Sequence, residues 1–356
     1  MGNRIVLTGG GTAGHVTPNI ALIEVLKEEG WQIDYIGSED SVEKEMITAI
    51  NVPYHAISSG KLRRYFSWKN FLDPFKILLG ILQSYRLLRK LKVDVVFSKG
   101  GFVAFPVVVG AWLNNIPIIA HESDLSPGLA NRLSFPFVSK ICVTFTPARN
   151  FFKKKTKVEV TGTPIRKQLF LGNKEKGLAL CGFTKEKPCL LFIGGSQGAN
   201  SLNTCIRQSL NHLIEHFQVI HLCGKGKVAN SYQNHPGYFQ MEYAKDELAD
   251  LFAASDIVIS RAGANSLYEI LALSKPHVLI PLSRQASRGD QIQNARYFQE
   301  KGVSKIIMEE DLTPNMLVAA INEVQKTKEQ IIEKIDALNI SSATEKIAAM
   351  IKEQAC

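Results

Sequence analysis

None of the six cysteines (Cys142, Cys181, Cys189, Cys205, Cys223 and Cys356) stands in a C-x-x-C pair, and several lie in apolar runs. That excludes a zinc ribbon and a dithiol redox motif, and reads as small buried hydrophobes in a reducing compartment. D-x-D, the carboxylate pair that holds a metal on a nucleotide diphosphate, is missing. So are the P-loop lysine motif and H-E-x-x-H. The longest apolar stretches are too short to span a bilayer, and Met1-Gly2-Asn3-Arg4 runs straight into a strand-like segment, so no signal peptide is expected. Acidic residues fall short of basic ones, 33 against 42, for a net charge of +9. This balance favours acidic partners: nucleic acid, phosphorylated substrates or an anionic membrane surface. With 45% hydrophobic and 21% charged residues in 356, the chain has the make-up of an ordinary globular protein long enough for two domains.

Short apolar, β-branched runs alternate with helical patterns throughout. Strands are expected at 4–8, 33–36, 93–97, 117–120 and 141–143, then at 189–193, 218–222, 257–259, 277–280 and 305–307. Helices are expected between them, among others at 19–29, 71–91, 202–215, 266–273 and 291–301. Near-continuous apolar strands separated by helices imply parallel sheets covered on both faces, here two doubly wound α/β domains. The turn Thr161-Gly162-Thr163-Pro164 places the boundary: domains at 1–162 and 163–340, and a closing helix at 341–356 that packs back on the first domain.

Each half carries a glycine-rich loop after its first strand: Gly9-Gly10-Gly11-Thr12-Ala13-Gly14-His15 and Gly194-Gly195-Ser196-Gln197-Gly198-Ala199. Glycine lets backbone approach a ligand closely, and a helix N-terminus offers N–H groups to an anion. The first loop satisfies G-x-G-x-x-G, and Glu39 lies past the next strand, which matches a dinucleotide fingerprint by spacing. A titratable His15 at its end, and a second loop that one dinucleotide leaves unexplained, count against NAD. Ser98-Lys99-Gly100-Gly101 is a third such turn, equally readable as a plain strand-to-helix connection. His121-Glu122 follows another strand, so His15 and either Glu122 or His121 are candidate general bases on one sheet edge. Asn131, opening the next helix, can offer an amide. In the second half, Ser266 and Glu269 fit a capping box, with ribose binding by Glu269 as the competing reading. Gln291 starts a later helix.

Residues 61–92 carry nine Lys or Arg interleaved with aromatic and aliphatic side chains, and Asp73 is the only acid. Arg63, Arg64, Lys69, Phe71, Phe75, Leu79 and Leu82 read as a membrane-surface patch drawn to anionic lipid, against a helix packed on the sheet with a solvated basic face.

These motifs, with Arg261-Ala262-Gly263-Ala264 and Gly289-Asp290-Gln291, resemble over essentially the whole chain one family of bacterial transferases. That family adds N-acetylglucosamine from UDP-N-acetylglucosamine to undecaprenyl-pyrophosphoryl-N-acetylmuramoyl-pentapeptide (lipid I), giving lipid II for peptidoglycan. Residues 58–64 with 287–291 look like its variants from Gram-positive rods and cocci. The resemblance implies two Rossmann-like domains facing a cleft (the GT-B arrangement). It implies that Arg166, Ser196, Glu269 and Gln291 contact UDP-N-acetylglucosamine, that Thr12, Ala13, Gly14 and Asn131 approach its sugar, and that His15 or Glu122 is the base. Members often have Gly in place of Ala13 and Asn in place of Thr163; neither change removes a side-chain function. It further implies no metal cofactor, no nucleic acid, lipid I and the anionic inner leaflet as partners, cell-wall synthesis proteins as possible further ones, and a peripheral place on the cytoplasmic face of the membrane. An NAD-dependent oxidoreductase, a UDP-sugar epimerase, another lipid glycosyltransferase and a nucleotide-sugar sensor are the competing readings.

Overall fold

The structure, a computed structural model, describes residues 3–60, 73–152, 157–195 and 199–355. The chain divides into two units, Met1–Arg166 with Ser342–Cys356, and Lys167–Ser341.

The first unit alternates strands and helices: β1 (Arg4–Thr8), α1 (Ala13–Glu28), β2 (Gln32–Gly37), α2 (Val42–Thr48), β3 (Tyr54–Ala56), α3 (Asp73–Leu91), β4 (Val95–Ser98), α4 (Ala104–Leu113), β5 (Ile118–Glu122), α5 (Leu129–Ser134), β6 (Lys140–Val143) and β7 (Val158–Val160). Its strands form one parallel sheet in the order β3-β2-β1-β4-β5-β6-β7. The central strands read Ile5-Val6-Leu7 and Val95-Val96-Phe97 and are fully buried, because helices cover both faces. The order reverses between β1 and β4, and ligands bind at the carboxyl end of such a switch point.

The second unit runs α6 (Lys174–Cys181), β8 (Cys189–Ile193), α7 (Asn200–His216), β9 (Gln218–Leu222), β10 (Tyr238–Met241), α8 (Leu248–Ala254), β11 (Ile257–Ser260), α9 (Ala264–Ala272), β12 (His277–Leu279), α10 (Asp290–Glu300), β13 (Lys305–Ile306), α11 (Pro314–Lys326) and α12 (Lys328–Ala337). Its parallel sheet is ordered β10-β9-β8-β11-β12-β13, with the reversal between β8 and β11.

A last helix, α13 (Thr344–Ala355), belongs to the first unit. Ile347, Ala348, Met350 and Ile351 join the core that Leu22, Val25 and Leu26 of α1 build with β1. The division falls after Arg166, not after residue 162, because the intervening residues bond to the returning chain. Ala343 N–H donates to the Thr163 carbonyl at 3.1 Å, and Ile165 N–H to Ser342 Oγ at 3.1 Å.

Two further expectations are corrected. α1 begins at Ala13, six residues before the expected start, with Pro18 inside it. The proline ring costs only the bond to the Gly14 carbonyl, one turn from the helix end. β3, β7 and β10 were not foreseen; they are edge strands of three to four residues, too short to show a period.

Candidate active site

The first glycine loop leaves β1 at the switch point and is fastened from below. The Tyr35 phenol donates to the Gly9 carbonyl at 2.5 Å, and Asn19 Nδ2 donates to the Tyr35 oxygen at 3.0 Å. Burial raises the Tyr35 pKa, so the phenol keeps its proton and stays a donor. Glu43, fully buried in the first turn of α2, accepts from Ser38 Oγ at 2.7 Å and from Gly11 N–H at 3.3 Å. Close packing explains the glycines: a Cβ on Gly10 would lie 2.3 Å from Glu43 Oε1, and one on Gly101 2.3 Å from the Gly10 carbonyl oxygen.

Glu43 was not singled out in the sequence, and it changes the meaning of the G-x-G-x-x-G match. A carboxylate under the loop takes the Gly11 N–H and sets negative charge where a pyrophosphate would lie. Glu39, the acid the fingerprint needs for a ribose, pairs instead with Lys44 at 2.6 Å. Both facts disfavour a dinucleotide here. Thr12 caps α1 without a side-chain bond, and His15 is the third residue of the helix, half-buried at the same edge.

Glu122 is the last residue of β5, not a residue beyond it, and is only 4% exposed. Its oxygens accept from Asp124 N–H (3.0 Å), Gly128 N–H (3.1 Å) and Asn131 Nδ2 (2.8 Å). The structure thus joins Glu122 and Asn131 and makes the carboxylate the anchor of the loop after β5. The amide of Asn131 is turned inward to Glu122, while its Oδ1 is buried with no hydrogen-bond partner among the described residues. That oxygen would lie 2.5 Å from a Cβ on Gly100.

His121 is excluded as a base. It is fully buried, its Nε2 donates to the Gly162 carbonyl at 2.8 Å, and its Nδ1 therefore accepts from Lys99 Nζ at 2.6 Å. Burial, then the Lys99 charge, pushes the His121 pKa well below its usual value. Burial likewise pushes Lys99 down to about 7, against Glu122 and Asp124, which favour its charged form.

In the second unit, β8 leads into the other glycine loop, where Gly195 adopts φ +91°, and α7 begins at Asn200. Ser196 lies outside the described residues. The capping box at Ser266 and Glu269 is overturned: α9 starts at Ala264 with Gly263 as its N-cap, so Ser266 is the third helical residue. Glu269 stands one turn on, on the same helix face. Gln291 is the second residue of α10; its Oε1 accepts from Leu282 N–H at 3.1 Å, and its Nε2 lies 4.0 Å from where a Cβ on Gly263 would be. Gln291 thereby spans from the loop after β12 to the start of α9. Arg166 is the last residue of the first unit's leading segment. Arg261, buried, and Glu309, half-buried, neither proposed as a site residue from the sequence, form an ion pair at this edge.

On α3, Gly80, Ser84 and Leu88 are buried, and a Cβ on Gly110 of α4 would lie 2.8 Å from Ser84 Cβ, so the two helices pack closely. The opposite face exposes Phe75 (71%), Leu78, Leu79 and Leu82, followed by exposed Arg86, Arg89 and Lys90. Arg63, Arg64, Lys69 and Phe71 fall outside the described residues. No described helix is long and apolar enough to cross a membrane.

The glycosyltransferase family 28 N-terminal domain matches residues 5–143, and the family 28 C-terminal domain matches residues 189–353. A protein of Legionella pneumophila (strain Paris), named UDP-N-acetylglucosamine--N-acetylmuramyl-(pentapeptide) pyrophosphoryl-undecaprenol N-acetylglucosamine transferase, is 66% identical over 355 residues, covering 100% of this chain and 98% of its own. One of the same name from Clostridium tetani is 50% identical over 353 residues, covering 99% and 98%. Over its full length the chain is thus more similar to the Legionella protein than to the Clostridium one. A crystal structure of Acinetobacter baumannii MurG superposes with a TM-score of 0.77 at 25% identity, covering 99% of both chains. A putative UDP-N-acetylglucosamine 2-epimerase from Listeria monocytogenes shares the fold, with a TM-score of 0.68 at 10% identity over 99% of this chain and 96% of its own. Two matched domains, full-length relatives and two parallel sheets with a glycine loop at each switch point make the chain a member of glycosyltransferase family 28.

Proposed function

We propose that the chain transfers N-acetylglucosamine from UDP-N-acetylglucosamine to the 4-hydroxyl of the N-acetylmuramoyl unit of lipid I, forming lipid II and UDP. The full-length identity to transferases named for this step carries the reading. The acceptor oxygen attacks the anomeric carbon as the bond to the diphosphate oxygen breaks, which inverts the configuration. The hydroxyl proton passes to the base, and UDP departs with the bonding electrons.

In this reading the second unit holds the donor. Glu269 takes the ribose hydroxyls, Gln291 and Ser196 take polar groups of the sugar nucleotide, and the N-terminus of α7 meets the charge that grows on the diphosphate. No metal is required there, so a chelator leaves turnover intact. Thr12, Ala13, Gly14 and Asn131 serve the sugar. Glu43 beneath the first loop supports a neutral, hydroxyl-bearing occupant there over a dinucleotide phosphate. His15 is the base: it is only half-buried at this edge, with its Nδ1 buried, whereas both oxygens of Glu122 already hold donors of their own loop. The strand order places Glu122 two strands from β1, roughly 10 Å by strand spacing. The exposed row on α3 with its basic end lays the protein on the anionic, cytoplasmic face of the membrane, where an undecaprenyl acceptor is presented.

UDP release on addition of a lipid I analogue tests the reaction. Release that depends on the acceptor is expected. Release without acceptor points to a UDP-sugar enzyme such as an epimerase, and donor binding without release points to a sensor.

A further inference from the structure

At the switch-point edge of the second unit, one ion pair joins segments that are far apart in the chain. Arg261, two residues before the N-cap of α9, is 8% exposed. Its Nη1 donates to the Ile280 carbonyl at 3.0 Å, at the end of β12, and its Nη2 donates to Ser201 Oγ at 3.3 Å and to Glu309. The Glu309 carboxylate also accepts from Ser201 Oγ at 2.6 Å and, through Oε2, from Ser283 N–H at 3.0 Å. Ser201 is the second residue of α7, directly after the glycine loop. Ser283 follows Leu282, whose N–H Gln291 already holds.

We propose that Glu309 and Arg261 are positioning residues for the donor: their pair locks the start of α7, the start of α9 and the loop before α10 in the geometry that receives the diphosphate and ribose of a UDP-sugar. The inference rests on the reading that this edge binds the donor.

Three observations carry it. The two Nη groups of Arg261 are already engaged by protein oxygens, so this arginine does not serve as the diphosphate cation. Its charge is matched by Glu309, so the edge draws an anion through helix N-termini, whose N–H groups help only when held in place. The Glu309 carboxylate is also held on both oxygens: burial disfavours it, yet the bonds from Arg261, Ser201 and Ser283 hold its pKa below the usual range, and it stays charged. Removing it would leave the Arg261 guanidinium unpaired and release Ser201 and Ser283 together.

Titration calorimetry of UDP and steady-state kinetics of the full chain test the proposal with Glu309→Ala, Glu309→Asp and, as a direct-contact control, Gln291→Ala. Glu309→Ala is expected to weaken UDP binding and raise the donor KM by roughly tenfold or more, with kcat at saturating donor and the acceptor KM within about twofold of wild type. Glu309→Asp should recover part of the loss. Wild-type UDP affinity in Glu309→Ala overturns the inference. So does a joint loss of donor affinity, acceptor KM and melting temperature, which marks the pair as general support of the fold. If Gln291→Ala and Glu269→Ala also bind UDP normally, the donor is not at this edge and the reading beneath the inference fails with it.

Discussion

In the proposed reading His15 is the base and Glu122 the scaffold of the loop after β5. Each oxygen of Glu122 faces donors of residues 124–131, and a buried acceptor removed from its donors costs about 1–3 kcal/mol. Glu122→Ala should therefore lower the melting temperature of the first unit, and His15→Ala should leave it unchanged while cutting kcat by about 10²–10⁴-fold. Thermal melts with UDP-release kinetics check this; a folded, unmelted Glu122→Ala that loses turnover, beside an active His15→Ala, would transfer the base to Glu122. Lys99 gives a second expectation. Burial lowers its pKa from 10.5 to about 7, so between those values the unfolded chain binds more protons and stability rises with pH. Below pH 7 the buried ammonium costs its full desolvation, and above about 10.5 that cost is gone. The stability of wild type relative to Lys99→Met should thus increase from pH 7 to pH 10 in denaturant titrations; a flat difference would sink the assignment. The pair Lys99–His121 was not readable beforehand, because the two residues are 22 apart and meet only through the pairing of β4 with β5.

Helix α3 has two chemically different faces. Gly80, Ser84 and Leu88 sit against the domain, and Phe75, Leu78, Leu79 and Leu82 stand out at i, i+3, i+4 and i+7, too close in spacing to be scattered surface residues. Burying a leucine or phenylalanine is worth about 1.5–3 kcal/mol. Phe75→Ser with Leu79→Ser and Leu82→Ser should reduce co-sedimentation with anionic vesicles by at least about tenfold, with turnover of a soluble acceptor analogue preserved. Binding that survives the triple change, or that salt does not weaken, would reject the membrane face. The density of charge and apolar groups was legible in the sequence, but that Phe75, Leu78, Leu79 and Leu82 share one exposed face emerges only with the helix register. Element starts were less legible: α1 begins at Ala13 and runs through Pro18, six residues before the expected start, and the Ser266/Glu269 spacing mimicked a cap that Gly263 takes instead.

At the scale of the whole molecule, the chain makes its first unit from both ends. Ile347, Met350 and Ile351 of α13 complete a core begun by α1 and β1, and Lys352 reaches Glu29 at 2.5 Å. Three such side chains at about 1.5–3 kcal/mol each approach the 5–15 kcal/mol that holds a domain together. A chain ending at Ser341 should therefore lose the melting transition of the first unit while its second unit still binds UDP; calorimetry with and without UDP reads both. Retention of both transitions would show α13 to be dispensable.

Local chemistry settled the frame of this protein. Continuous apolar strands, glycine at their carboxyl ends and amphipathic runs between them allow little besides two parallel, doubly wound sheets, and those signals lie within a few residues of one another. The tertiary structure alone decided which polar side chains are engaged and which are left to a ligand. Glu43 reaches Gly11 across 32 positions, Glu309 reaches Arg261 across 48, and Ser342 reaches Ile165 across 177. Such pairings follow from which strands become neighbours in the sheet and from the desolvation that forces buried charges to find partners there, and no local pattern in the sequence encodes either.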